Sequence, residues 1–133
     1  MLKNNYVLTE YENYLCREIA DCAYQVHKEL GPGLLEKIYE ACLCHELRKR
    51  DIPFRRQAKL PFLYDGISFD EGMQVDIIVE DLIIVELKAV TTVNPVWEAQ
   101  VISHLKLAGL HVGFLVNFNV VLIKDGIRRF SSA

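Results

Sequence analysis

The chain has 133 residues, 51% of them hydrophobic and 25% charged, which is the make-up of a folded domain with a real core and excludes a disordered segment. The formal net charge of -3 and a pI near 5.8 argue against the strong nonspecific hold on nucleic acid that a surplus of lysine and arginine provides through counterion release, and permit a nucleic-acid substrate without demanding one. No apolar run approaches the ~20 residues of a membrane span. Met1-Leu2-Lys3-Asn4-Asn5 also lacks the apolar core of a signal peptide, so one soluble, cytoplasmic domain over residues 1–133 is expected, with no membrane partner.

The first predicted helix starts at Thr9, where Thr9-x-x-Glu12 reads as a capping box. Leu15, Ile19, Cys22, Ala23, Val26 and Leu30 continue it at helical spacing, and Gly31-Pro32-Gly33 ends it. A second helix spans about Leu34 to Arg50, with Leu34, Leu35, Ile38, Tyr39, Cys42, Leu43 and Leu47 as its apolar arc. On a ~100° per residue wheel Glu36 lies at the edge of that arc, whereas Lys37 and Glu40 lie outside it. Glu36 is therefore either a carboxylate aimed at the interior or a helix-start acid favoured by the dipole. The four cysteines, Cys16, Cys22, Cys42 and Cys44, all fall on these helices. Cys42-x-Cys44-His45 lacks the paired CxxC spacing of zinc sites, and without an export signal no disulfide framework is expected; buried thiols are. The basic runs Arg48-Lys49-Arg50, Arg55-Arg56 and Arg128-Arg129 read as solvated faces.

Extended chain follows from Phe54 to Tyr64, with Pro61 marking an edge position or bulge and Asp65-Gly66 a turn. Met73 to Val79 and Ile83 to Val90 form two strands joined around Glu80-Asp81. Thr92 or Asn94 caps a third helix with Pro95 in its first turn, running to Ala108 and stopped by Gly109. Its inward stripe is Val101, Leu105 and Ala108, and Gln100 and His104, four apart, share a face. His111 to Asn117 returns as a strand. Val120–Lys124 and Ile127–Phe130 are expected as a closing hairpin about Asp125-Gly126, whose apolar run Val120-Val121-Leu122-Ile123 offers an edge for a homodimer partner.

Chemistry concentrates in Val85-Glu86-Leu87-Lys88. On a strand Glu86 and Lys88 point to one face while Ile83, Val85, Leu87 and Ala89 occupy the other. Such a strand is apolar on both sides and central, where an unpaired charge is costly. Asp76 adds a second acid on the preceding strand. A two-residue turn would pair Val79 with Leu82 and leave Asp76 on the wrong face. A three-residue loop, Glu80-Asp81-Leu82, would pair Val79 with Ile83 and set Asp76 opposite Glu86. If the two acids share a site, an odd-length loop or a bulge is required. Carboxylate oxygens from Asp76 and Glu86, with the Leu87 carbonyl, suit a hard cation such as Mg²⁺ that keeps several waters. Glu36 would complete the shell, and Lys88 would orient water or stabilise charge on a phosphate. Gln100 and His104 read either as phosphate or water ligands or as ordinary helix polarity. The opposing reading of Glu86 and Lys88 is an ion pair at a sheet margin.

Gly33-Leu34-Leu35-Glu36-Lys37-Ile38-Tyr39 resembles the GxxExxY pattern of a group of small bacterial and archaeal proteins. Asp76, then Glu86-Leu87-Lys88, then Gln100 resembles the PD-(D/E)xK nuclease core, and the resemblance spans roughly Leu15 to Arg129. It implies an α/β fold with a mixed central sheet flanked by helices, like that of restriction endonucleases. It also implies Mg²⁺ or Mn²⁺ as cofactor, nucleic acid as substrate, and Glu36, Asp76, Glu86 and Lys88 as the active-site set with Gln100 accessory. Three positions depart from the pattern: Val75 replaces the proline, His104 stands where an exonuclease-like branch carries tyrosine, and Gln74 stands where relatives carry arginine. The function these residues favour is a divalent-metal-dependent phosphodiesterase cleaving DNA or RNA. A binding or accessory module that keeps the fold without turnover, and a structural charge network, are the other readings.

Overall fold

The structure, a computed structural model, describes residues 6–132. The first five residues, and the expectation placed on them, lie outside that range. The elements are α1 (Glu10–Leu30), α2 (Glu36–Lys49), β1 (Phe54–Lys59), β2 (Phe62–Tyr64), β3 (Ile67–Phe69), β4 (Gln74–Val79), β5 (Ile83–Lys88), α3 (Pro95–Ala108), β6 (Val112–Asn117), a 3₁₀ turn (Ile123–Asp125) and β7 (Ile127–Ser131). Five strands form one mixed sheet in the order β1-β4-β5-β6-β7, with β5 and β6 parallel and the other neighbours antiparallel. The expected α/β architecture is present. Among the described residues no helix is long and apolar enough to cross a membrane.

Two cores explain the layers. On one face Leu15, Ile19 and Val26 of α1 and Tyr39, Leu43 and Leu47 of α2 pack on Ile77, Ile83, Val85, Phe114 and Val116. On the other, Val101 and Leu105 of α3 pack on Ile78, Ile84 and Leu115. Strand alternation makes this division: neighbours in sequence on β5 and β6 enter opposite cores, so β5 from Ile83 to Val85 and β6 from Val112 to Val116 carry no polar side chain. Gly113 lets α3 close on the sheet, because a Cβ there would lie 3.1 Å from Val101 and 3.2 Å from the Ile84 carbonyl.

Local chemistry sets the helix ends. Thr9 accepts from the Glu12 N–H at 3.0 Å and Glu12 accepts from the Thr9 N–H at 2.9 Å, a complete capping box. Asn94, not Thr92, caps α3 by accepting from the Val96 N–H at 3.0 Å, and Gly109 ends that helix in the left-handed conformation. Cys16, Cys22 and Cys44 are buried free thiols, and burial pushes Cys22 up to about 12 and Cys44 to about 11. Most arginines of the basic runs have acid partners: Arg50 with Asp21 at 2.8 Å, Arg55 with Asp81 at 2.8 Å, Arg56 with Glu40 at 3.0 Å and Arg128 with Glu98 at 3.1 Å.

Three expectations are corrected. The extended stretch from Phe54 breaks at Leu60-Pro61, because proline cannot donate to a ladder; Phe62–Tyr64 then pairs with Ile67–Phe69 in a separate two-stranded sheet. Its turn is Asp65-Gly66 as expected, with both residues at positive φ. The α2 arc is narrower than its apolar residues suggest: Leu34 and Leu35 are exposed ahead of the helix, which starts only at Glu36, and Ile38 is exposed within it. The closing hairpin is absent. Val120–Lys124 forms bends and a 3₁₀ turn, and β7 pairs with β6 instead. Val120 and Ile123 are three apart and both pack into the α1/α2 core, a turn-like spacing rather than period two. Gly126 then runs against Asn117, whose N–H donates to the Gly126 carbonyl at 2.9 Å; a Cβ at Gly126 would lie 2.0 Å from the Asn117 carbonyl oxygen. What remains of the expected partner surface is the exposed pair Val121 and Leu122.

Candidate metal and phosphodiester site

The β4–β5 hairpin has a three-residue loop. Val79 pairs with Ile83, Ile78 with Ile84 and Ile77 with Val85. Glu80 and Asp81 make the reversal at positive φ, 54° and 53°, and the Leu82 N–H closes it on the Val79 carbonyl at 2.9 Å. Continuing that register sets Asp76 opposite Glu86, the arrangement that a shared site requires.

The two strands stop pairing beyond Ile77 and Val85. Their polar edges are then met by side chains: the Leu87 N–H donates to Asp76 Oδ2 at 2.8 Å, and the Asp76 N–H donates to Glu86 Oε1 at 3.3 Å. Because an extended residue presents its N–H and C=O on the same edge, the Leu87 carbonyl opens toward Asp76 as well. Asp76 also marks a break in alternation. Ile77 and Val79 join the α1/α2 core, yet Val75 joins the α3 core; on β1, Phe54 and Ala58 differ in the same way. The switch falls between the Arg56–Ile77 and Ala58–Val75 pairs, where Gln57 has φ +46°.

Electrostatics ties the remaining residues to this gap. Burial pushes the Glu86 carboxyl up to about 8, helped by the facing Asp76 carboxylate; the Asp76 N–H and Lys88 oppose the shift. Glu36, in the first turn of α2, is raised by burial and by Asp76 and Glu40, against the pull of Lys88. Glu36, Asp76, Glu86 and Lys88 therefore share one field. Lys88 ends β5 with its ammonium 4.4 Å from the centroid of the Trp97 ring, a cation–π contact with the start of α3.

Gln100 and His104 lie on α3 (Pro95–Ala108). Gln100 is exposed on α3, and among the described residues no hydrogen bond joins either to the set. Among the described residues the buried Nδ1 of His104 meets no hydrogen-bond partner, and burial holds its imidazole below the usual range. A surface cavity of 530 Å³ lined by Arg48, Asp51, Ile52, Pro53, Phe54 and Arg56 contains none of the acids.

Several neighbours of the site escaped the reading of the sequence. Glu40 is buried, 6% exposed, although a wheel of apolar residues puts it outside the arc. Arg56 donates to it at 3.0 and 3.1 Å, and Gln57 at 2.8 Å. Its position four residues after Glu36, on the same face of α2, was the available signal. Asn117 clasps the segment after β5, accepting from the Val90 N–H at 3.0 Å and donating to the Val90 carbonyl at 2.9 Å. No spacing pointed to Asn117, Gln57 or Trp97.

Residues 13–130 match the PD-(D/E)XK nuclease superfamily. The chain belongs to that superfamily. Its mixed five-stranded sheet with flanking helices is the corresponding fold. No curated protein and no solved structure shows a match to the chain. Members of this nuclease superfamily generally use divalent metals. Among the described residues no three His, Cys, Asp or Glu side chains gather closely enough to hold an ion by themselves. The groups that face one another at the open strand gap are two carboxylates, with the Leu87 carbonyl beside them. That set suits a hard cation that keeps its own waters, and a divalent charge would relieve the repulsion between Asp76 and Glu86.

Proposed function

We propose that the protein is a small nuclease that hydrolyses phosphodiester bonds in DNA or RNA with Mg²⁺ or Mn²⁺. The observation that carries this reading is the facing of Asp76 and Glu86 where β4 and β5 part, with Lys88 two residues further along. In this reading Asp76, Glu86 and the Leu87 carbonyl hold the ion, and Glu36 completes the acid set from α2. When bound, the ion would supply Lewis-acid charge at the phosphate and lower the pKa of a coordinated water. Lys88, steered by the Trp97 ring, would donate to a phosphate oxygen and stabilise the charge that builds there. Gln100 and His104 would contact substrate only beyond the acid set, from the adjacent helix.

The pairing of most basic-run arginines with acids favours a second reading, a nuclease-fold accessory module that binds without turnover. Single-stranded, duplex and structured DNA and RNA, incubated with Mg²⁺ or Mn²⁺, decide between them. Cleavage by the wild type that falls about 10²–10³-fold in Lys88→Met and is lost in Glu86→Gln, both folded, is the expected outcome. Metal-dependent binding without cleavage on every substrate would leave the accessory reading. Cleavage unchanged in Glu86→Gln would sink the proposed site.

A further inference from the structure

Gln57 sits inside a strand in a backbone conformation that residues with a Cβ seldom adopt, φ +46°. Neighbouring pairs keep the β1–β4 register on both sides of it, so the distortion is confined to the point opposite Asp76. Strain held at one residue, where both strands keep their register but exchange faces, calls for something that it achieves.

The side chain supplies that. Gln57 Nε2 carries two protons, and two carboxylates face it: Glu40 Oε1 at 2.8 Å and Asp76 Oδ1 at 3.4 Å. Its carbonyl oxygen accepts from Gln74 Nε2 at 2.7 Å. Reversing the amide would set an oxygen against two carboxylates and its nitrogen against the Gln74 donor, so the network dictates the orientation. Glu40 in turn is fixed by Arg56. Asp76 is thereby met on both oxygens, by a long contact from the exposed Gln57 to Oδ1 and a short one from the Leu87 N–H to Oδ2.

We infer that Gln57 is a positioning residue, whose amide, anchored by Gln74 and Glu40, holds the Asp76 carboxylate in the orientation that binds the cation. The inference rests on the metal reading of the Asp76–Glu86 site. Partners in the outer shell of a metal site commonly contribute about 10- to 100-fold in affinity by orienting the ligands. A merely structural Gln57, serving Glu40 and the β1 edge, would influence stability and leave metal affinity alone.

The test is Mn²⁺ titration of the full chain by calorimetry and by electron paramagnetic resonance, beside thermal melting. Glycine accepts φ +46°, so Gln57→Gly removes the amide without backbone conflict. Gln74→Leu, at an exposed position, removes only the anchor. The expected result is Mn²⁺ affinity weakened about 10- to 100-fold in Gln57→Gly and by less in Gln74→Leu, with both melting like the wild type. Unchanged Mn²⁺ affinity in Gln57→Gly overturns the positioning role while leaving the metal site standing. Should the glycine variant not fold, unchanged affinity in Gln74→Leu overturns it equally. A wild type that binds no Mn²⁺ removes the metal site and this inference together.

Discussion

The two ends of the β4–β5 hairpin are built from the same two strands on different terms. At the loop end, Ile77 to Val79 and Ile83 to Val85 pair through the main chain, and their side chains fill both cores. At the open end, from Asp76 and Glu86 onward, main-chain pairing stops and carboxylates meet the exposed backbone N–H groups. The first arrangement maximises burial and is stable in itself. The second gathers like charges in a half-buried gap, where burial and Asp76 push Glu86 up to about 8. One hairpin thus joins a stable half to a half that gathers two facing carboxylates in a half-buried gap.

Both halves fail together if the register is shifted. Deleting Ile83 with the three-residue loop kept pairs Val79 with Ile84, sets Asp76 opposite Leu87 instead of Glu86, and exchanges the two core faces of β4 or β5. Loss of stability above about 4 kcal/mol is expected, in the exceptional class for so small a change, read from denaturant unfolding. A cooperative transition at the wild-type midpoint would mean that a bulge restores the register.

Titration isolates the open end. The Glu86 carboxyl is raised in the folded state, so without metal its contribution to stability is full below the unfolded carboxylate range. That contribution is lost as pH rises from about 4.5 through about 8. Urea midpoints in the presence of chelator should therefore fall for the wild type relative to Glu86→Gln across that window, with the glutamine variant the more stable above it. Parallel curves would show that Glu86 is not held protonated by its surroundings.

The smallest effect belongs to the loop surface. Arg55 and Asp81 form an exposed pair at 2.8 Å, and Arg55→Ala should cost only about 0.2–1 kcal/mol. Nuclease activity, assayed beside the melt, should stay at the wild-type level, because the loop end touches none of the acids.

Much of this was legible in advance because it depends on neighbours in the chain. The Thr9–Glu12 capping box, Asn94-Pro95 at the start of α3 and Gly109 at its end involve groups within a turn of one another. The condition on the β4–β5 loop followed from strand parity, and the three-residue loop meets it. The parts that were not legible are contacts between remote segments. Glu40 looked solvent-facing because a wheel of apolar residues takes no account of Arg56 and Gln57 arriving from β1 to neutralise and cover it. Val120–Lys124 looked like a strand by composition, but Val120 and Ile123 are drawn into the α1/α2 core and β6 takes β7 as its partner.

Propensity, capping and periodicity act over a few residues, so the order of amino acids alone set the start of α1, the end of α3, the apolar runs of the central strands and the succession of Glu36, Asp76, Glu86 and Lys88. Where β4 and β5 part, how Gln57 bridges Glu40 to Asp76, and that Lys88 rests on Trp97 were settled only by the packed fold. These features depend on charges and donors from separate segments meeting at hydrogen-bond distance in a half-buried gap, where each group's state is set by what the fold places beside it.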